Sequence, residues 1–232
     1  MEKKKVANIF EARYILGNRN VVIKDNLIGA WNRGFDNKDV GYTLEQLESA
    51  ADANKKGLAN WFLVYHMGKS PRQILEERFE NLDFGFGETD RFQKNHWFSH
   101  ANEGFWVDKK EESGYYLLNF IGERDELREM RLESLSFTEQ EEKIKLLPSK
   151  MRAPLNVVME AVFSIYDTHN ILLLKDWYHL SDARNHDGAL IYVGSTGSKV
   201  NEKMMNIFKF PKEQEGDGKY FYGFGAVLIL KK

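Results

Sequence analysis

The histidines supply the residue types best suited to metal binding or acid–base chemistry. His96 and His100 lie four positions apart, a spacing that places two imidazoles on one face of a helix, as a zinc site requires. His179 and His186 lie close to two aspartates, and a histidine beside a carboxylate can act as a general base or a metal ligand. These two pairs support one hypothesis, a metal-dependent hydrolase or nuclease.

The same residue types also have a purely structural interpretation. Histidine and aspartate are common in turns and on contact surfaces, and Trp97 stands where a zinc-protease motif places a glutamate. The segment Gly194-Ser195-Thr196-Gly197 has neither the spacing nor the lysine of a phosphate-binding loop, so it predicts a β-turn. The sequence therefore keeps both catalytic and structural interpretations of the histidines open.

The composition excludes several classes of chemistry. The chain contains no cysteine, which removes disulfides, thiolate nucleophiles, Cys-ligated zinc and iron–sulfur clusters. Its 33 basic and 35 acidic residues give a net charge of −2, so no global field attracts nucleic-acid phosphates. We expect neither a cofactor nor a nucleic-acid partner.

The hydropathy of the chain predicts a folded protein outside the membrane. Residues 1–10 carry lysines followed by too few apolar residues for a signal peptide. No segment approaches the roughly 20 apolar residues of a membrane span. We therefore expect no obvious secretion signal and no membrane insertion, so display at a surface would need another route.

The first 82 residues contain clear helix and strand signals. The β-branched run Val21–Ile23 predicts a strand, and the apolar stretch 58–67 predicts a second, buried one. A helix is predicted from Thr43 to about Lys56, because Thr43 and Gln46 have capping-box spacing. Ser70-Pro71 predicts the start of another helix, which would end near Leu82.

The middle of the chain is less regular. Glycine alternates with aromatic residues from 83 to 116, a pattern that predicts loops and short strands, and a strand follows at 116–121. Residues 123–145 are the most charged stretch and predict one or two solvated helices, with Thr138 and Glu141 as the cap.

The last third begins with the most apolar helix. Pro154 opens it, its apolar residues recur at helical spacing as far as Tyr166, and Asp167 and Asn170 end it. Strands are then predicted at 171–177, 189–193 and 220–230. They are separated by a polar loop at 181–188 and by a segment rich in glycine, lysine and glutamate.

The motifs of this last third follow a distinctive order. The order begins with Pro154 and with Glu160 six positions later. It continues with the segments 174–182 and 187–194, and with Gly225-Ala226-Val227 before the terminal lysines. With this order the last third resembles the formylglycine-generating-enzyme-like branch of the C-type lectin fold, and its motifs are similar to the C-terminal region of variable proteins of diversity-generating retroelements.

The resemblance implies an α+β, C-type lectin-like fold with helices packed on small, mostly antiparallel sheets. Residues 1–232 would form a single domain, in which 1–149 have no assigned structure. Residues 150–232 would carry the lectin-fold part, with a variable region at about 176–225. Enzymatic relatives in this branch need cysteines for their copper and thiol chemistry, so their activity is excluded.

The same resemblance implies a ligand-binding protein and not an enzyme. Its exposed C-terminal positions would be rewritten by adenine-directed mutagenesis, and its partner would be a protein or a cell-surface ligand. Such mutagenesis cannot create Lys, Glu, Gln, Met or Trp, so Trp177 and most of 199–215 should be scaffold. The expected variable residues are of types that also suit binding surfaces: Tyr178, His179, Ser181, Asp182, Arg184, Asn185, His186, Tyr192, Asp217, Tyr220 and Tyr222.

Two alternatives to a diversified binding protein remain. One is the hydrolase or nuclease built on His96 and His100 or on His179 and His186. The other is a structural or assembly protein in which the Trp-rich middle of the chain forms an oligomer contact. The sequence does not fix the oligomeric state.

Overall fold

The computed structural model describes residues 6–23, 39–78, 85–86, 101–120, 135–174, 177–196, 204–210, 212 and 224–232. Within these residues the fold is mixed α+β, with six α-helices and three small, mostly antiparallel sheets. The predicted α+β class is therefore confirmed, whereas the C-type lectin-like identity of the fold stays a prediction.

Six α-helices lie in the described part of the chain, and two further short turns, Asn18–Asn20 and Ala101–Glu103, are 3₁₀. Four of the α-helices begin with a complete capping box, in which side chain and backbone satisfy each other's hydrogen bonds. The α-helices are α1 (Ile9–Leu16), α2 (Leu44–Lys55), α3 (Pro71–Arg78), α4 (Gly104–Val107), α5 (Phe137–Lys145) and α6 (Leu155–His169).

Twelve strands lie in the described part, and most are short. They are β1 (Val6–Asn8), β2 (Val21–Val22), β3 (Asp39–Thr43), β4 (Trp61–His66), β5 (Gly85–Phe86), β6 (Gly114–Asn119), β7 (Lys150–Arg152), β8 (Tyr178–Arg184), β9 (Leu190–Thr196), β10 (Met204–Lys209), β11 (Phe224–Gly225) and β12 (Leu228–Leu230).

The strands form one two-stranded ladder and two five-stranded sheets. β1 pairs with β3. The first large sheet, which we name the central sheet, has the order β2-β4-β6-β12-β7, and only its β2–β4 pair is parallel. The second, which we name the peripheral sheet, has the order β11-β8-β9-β10-β5, with parallel pairs at its two edges.

Helix α6 lies at the centre of the fold, between the two large sheets. Eleven of its fifteen residues are buried, so it is covered on nearly all sides. Phe62 and Val64 of the central sheet pack in the same cluster as α6, and so do Ile191 and Val193 of the peripheral sheet. The prediction of a central core helix opened by Pro154 is confirmed, although the helix runs to His169.

The central sheet is covered on both faces. Side chains alternate along β4, so that Phe62 and Val64 join the α6 cluster while Trp61 and Leu63 join a second cluster. Helices α1 and α2 supply the opposite wall of that second cluster, for example through Leu47. The central sheet is therefore the interior of the molecule.

The N-terminal predictions agree closely with this structure. The strands at 21–23 and 58–67 and the helix capped by Thr43 and Gln46 are confirmed within a few residues. Ser70 caps α3 together with Gln73, as its sequence spacing indicates. The end of that helix near Leu82 lies outside the described residues.

The predicted helix cap in the charged middle segment is wrong. Thr138 and Glu141 do not cap α5, because Ser136 and Glu139 form the capping box two residues earlier. The same spacing of hydroxyl and glutamate occurs twice in this stretch, and the earlier copy lies where Phe137 can pack beneath the Arg152 guanidinium.

Two of the C-terminal strand predictions are wrong in their boundaries. Residues 171–174 form no strand, and β8 runs through the first half of the polar segment 181–188 that was expected to be a loop. The predicted strand at 220–230 divides, because β11 pairs with β8 whereas β12 pairs with β6 and β7. The strand β10 was not predicted at all.

Candidate functional site

Strand β8 carries five of the eleven expected binding residues and divides them into two groups. His179 and Ser181 are completely buried, and Asn185, which follows the strand, is almost as buried. Tyr178 and Arg184 are partly exposed and Asp182 is exposed. A bulge between Leu180 and Arg184 interrupts the pairing with β9, so the residues between them depart from simple alternation.

His179 is a structural residue and not part of an exposed surface. Its Nε2 lies 3.1 Å from the Ala153 carbonyl oxygen, and its Nδ1 accepts a hydrogen bond of 3.0 Å from the Val227 amide. Since Nδ1 accepts, the ring proton is on Nε2 and the imidazole is neutral. Burial, together with the nearby Arg152 cation, lowers the pKa of His179 to about 3.

Ser181 and Asn185 are also buried, and both satisfy backbone groups. The Ser181 hydroxyl donates to the Ile191 carbonyl at 2.7 Å and accepts from the Ala183 amide at 3.2 Å. The Asn185 side chain accepts from the Ala189 amide at 2.8 Å, which closes the hairpin between β8 and β9. The expectation that His179, Ser181 and Asn185 face a ligand is therefore wrong.

A buried arginine of the neighbouring central sheet holds β8 in place. Arg152 of β7 donates to the Leu180 carbonyl, to Glu141 at 2.6 Å and to Gln140 at 3.1 Å. Burial lowers the pKa of Arg152, and the hydrogen bond to Glu141 opposes that shift. These contacts join β8 of the peripheral sheet to β7 and α5.

Tyr178 and Tyr192 lie together on the outer face of the peripheral sheet. Their rings meet edge to face at a centroid distance of 5.4 Å, and Phe224 stacks on Tyr178 at 5.1 Å. Phe208 of β10 lies against Tyr192 at 5.4 Å. We name these four partly exposed rings, Tyr178, Tyr192, Phe208 and Phe224, the aromatic face.

Asp182 and Arg184 border a cavity of about 240 Å³ that is also lined by residues of α4 and by the start of α6. Trp106, Pro154 and Leu155 contribute apolar surface to the lining. Lys109, Glu111 and the largely exposed Phe105 also line the cavity. A hydrogen bond to Glu111 raises the pKa of Lys109. The cavity thus combines apolar surface with charges of both signs.

His186 connects the β8–β9 hairpin to the turn before α4. Its Nδ1 contacts the carboxylate of Glu103, which is fully buried, and its Nε2 lies 2.9 Å from Asp187 Oδ1. The indole nitrogen of Trp106 donates to the other oxygen of Glu103. The imidazole is exposed, yet it is held between two carboxylates and fixes the hairpin in place.

The structure does not bring His179 and His186 together as the hydrolase hypothesis requires of this pair. His179 has both ring nitrogens engaged with the backbone, whereas His186 lies at the surface with Glu103. Among the residues that the structure describes, no group of three or more His, Asp or Glu side chains could hold a metal ion. His96, His100, Asp217, Tyr220 and Tyr222 lie outside the described residues.

Several site residues were not foreseen from the sequence. Phe208 and Phe224 complete the aromatic face, and Glu103 anchors His186 from 83 positions away. Gly225, next to Phe224, is the one sequence signal for this region. A Cβ at that position would lie 2.5 Å from the Trp177 ring, so the close approach of the backbone to Trp177 requires glycine. The prediction that Trp177 belongs to the scaffold agrees with its burial.

Comparison of the chain with family models, with curated proteins and with solved structures finds no match in any of the three. Within the described ranges, no helix has the length and apolar character to cross a membrane.

Proposed function

We propose that this chain is a ligand-binding protein whose contact surface lies on the outer side of β8 and β9. The surface consists of the aromatic face together with Asp182 and Arg184 at the adjoining cavity. Its ligand would be a protein or a cell-surface molecule, because large tyrosine rings beside adaptable polar groups suit such surfaces. The tyrosine rings supply rigid contact area, and the charged groups supply orientation.

The division of β8 into buried and exposed residues is the observation that carries this proposal. His179 and Ser181 fix the strand through backbone hydrogen bonds, and neither side chain is exposed. Asp182, immediately beside them, is exposed. A frame held by buried groups can tolerate changes in its exposed neighbours, as a binding surface with changing specificity requires.

Phe137 connects the two parts of the surface. It packs in the same cluster as Tyr192 and Phe224, and the Arg184 guanidinium lies 5.8 Å from its ring centroid. The aromatic face therefore continues, through Phe137, to the cavity bordered by Asp182 and Arg184. Continuity of this kind favours one contact surface over two separate sites.

We further propose that this surface is diversified by adenine-directed mutagenesis, with His186 as a partial exception. Its imidazole is exposed but holds the buried Glu103 carboxylate, so replacement would leave that carboxylate with fewer partners. Asp182 is exposed and Tyr178, Arg184 and Tyr192 are partly exposed, so replacement at these positions changes the surface of the chain. Variation should therefore be strongest at these four positions.

Deep sequencing of the 3′ end of the gene across its natural population tests this proposal. Replacements should concentrate at codons 178, 182, 184 and 192, with substitutions at template adenines. Codons 179, 181 and 185 are matched controls, because they lie in the same stretch but encode buried residues. Uniform variation, or equal variation at the controls, would contradict a diversified surface.

A further inference from the structure

A second cavity, of about 250 Å³, lies between α3 and α6, among residues other than those assigned to binding above. Val22, Ile74 and Phe163 give it an apolar wall. Its polar lining includes Lys69, Arg78 and the buried carboxylate of Glu160. Sites for drug-sized ligands measure roughly 300–1,000 Å³, so this cavity fits a smaller molecule.

Glu160 is held in place through only one of its two carboxylate oxygens. Its Oε2 accepts a 3.0 Å hydrogen bond from the Met67 amide. The Nδ1 of His66 also lies 2.5 Å from Oε2, but that contact lacks hydrogen-bond alignment. Among the described residues, Oε1 has no hydrogen-bond partner, although the Glu160 side chain is only 8 % exposed. The free oxygen therefore belongs to a carboxylate that lines the cavity.

No lysine or arginine of the described residues pairs with Glu160, whose only ionisable neighbour in contact is His66. The side-chain nitrogen of Asn156 donates to the Lys69 carbonyl at 2.8 Å, and an amide nitrogen has a second hydrogen to give. That nitrogen lies 3.4 Å from His66 Nε2, an arrangement in which Nε2 accepts and the ring proton is on Nδ1.

The two cations of the lining have other partners. Lys69 pairs with Glu77, and Arg78 donates to Asp167 at 3.0 Å while its guanidinium lies over the Phe163 ring. The lining therefore holds three carboxylates and two cations, which leaves one negative charge at the buried Glu160. A buried charge is costly unless an opposite charge meets it.

We propose that this cavity binds a small organic ammonium ion, with its charged group at Glu160 Oε1 and its apolar part against Val22, Ile74 and Phe163. The ammonium group can belong to a free amine or to an amino acid, whose carboxylate would lie near Lys69 or Arg78. The proposal is independent of the function assigned to the peripheral sheet, because the linings of the two cavities have no residue in common.

Three probes of the same branched carbon skeleton test the site by isothermal titration calorimetry at pH 7. They are 3-methylbutan-1-amine, L-leucine and 4-methylpentanoate, of which the last lacks an ammonium group. We expect the amine to bind and the acid not to bind. Binding of leucine as well would identify an amino acid site, and its absence would identify a free-amine site. Failure of both ammonium probes, or equal binding of the acid, would overturn the proposal.

Substitutions locate the binding energy within the cavity. Glu160→Gln keeps an acceptor for the Met67 amide but removes the charge, so affinity for the amine should fall at least about tenfold. Glu76→Gln is the matched control, because Glu76 is an exposed carboxylate of α3 outside the lining, and it should change affinity by no more than about threefold. Equal affinity in Glu160→Gln and the native chain would overturn the assignment.

A second variant protects the test against a folding defect in Glu160→Gln. Ser164 lines the cavity and is partly exposed, so Ser164→Phe places a ring at the site without altering the contacts of Glu160. Circular dichroism should show the native fold, and amine binding should be lost. Undiminished binding by folded Ser164→Phe would place the amine elsewhere and overturn the proposal.

Discussion

The two five-stranded sheets have the same number of strands but differ in how they are covered. Both faces of the central sheet lie against hydrophobic clusters, whereas the peripheral sheet packs on α6 with one face and has only a small cluster on the other, where four aromatic rings remain partly exposed. The central sheet therefore has little surface left for a ligand. The peripheral sheet combines one face fixed by the core with another that can meet a partner.

The largest expected effect belongs to the central sheet. Leu63 is completely buried, so Leu63→Ala should lower the free energy of unfolding by about 3 kcal/mol through lost burial and the cavity left behind. Leu58→Ala is the control, because Leu58 is 53 % exposed and should lose less than about 1 kcal/mol. Urea denaturation measures both, and equal losses would contradict the contrast between core and surface.

The buried side of β8 should make stability depend on pH. The pKa of His179 is about 3 in the folded chain and about 6.5 when unfolded. Below pH 6.5 the unfolded state therefore binds a proton that the folded state excludes, so stability is fully present above pH 6.5 and falls as the pH is lowered toward 3. The loss by pH 5 should be about 2 kcal/mol.

Comparison with His179→Gln isolates this contribution from those of other titrating groups. The variant should be less stable at pH 7, but its stability should fall less steeply between pH 6.5 and pH 5. Urea titrations at several pH values give the two slopes. Parallel slopes would mean that His179 does not carry the predicted proton linkage.

A smaller effect is expected at Ser181. Ser181→Ala leaves the Ile191 carbonyl and the Ala183 amide without their hydroxyl partner, which should cost about 1–2 kcal/mol. Thermal denaturation followed by circular dichroism measures the change. A variant as stable as the native chain would show that the buried hydroxyl does not fix β8.

The smallest effect is expected one residue further along the same strand. Asp182 is exposed, so Asp182→Ser should change the free energy of unfolding by no more than about 0.5 kcal/mol. The same denaturation measurement applies. A loss as large as that of Ser181→Ala would contradict the division of β8 into a fixed and a replaceable side.

The sequence predicted the helices better than the peripheral sheet, for a physical reason. The cap of α2 and the apolar spacing of α6 are local patterns, so they can be read over a few residues. The strand β8 depends on distant partners, because His179 and Ser181 become acceptable in the core only through Ala153, Val227 and Ile191. A polar sequence of this kind resembles a loop until those partners are known.

The candidate site was predictable to a similar, limited extent. Tyr178, Asp182, Arg184 and Tyr192 are at least partly exposed, as expected of contact residues. Three of the polar residues between 179 and 185 are buried instead, because each satisfies backbone groups that no sequence pattern reveals. Long-range pairs such as Glu103 with His186 were likewise hidden.

A saturation scan of residues 178–192, read out as protease resistance of the displayed chain, separates the fixed residues of β8 and its hairpin from the replaceable ones. We predict that most replacements at Asp182 and Arg184 leave the chain folded, whereas most replacements at His179, Ser181 and Asn185 unfold it. Equal tolerance in the two groups, or unfolding by most replacements at Asp182 and Arg184, would contradict a fixed frame that presents a replaceable binding surface.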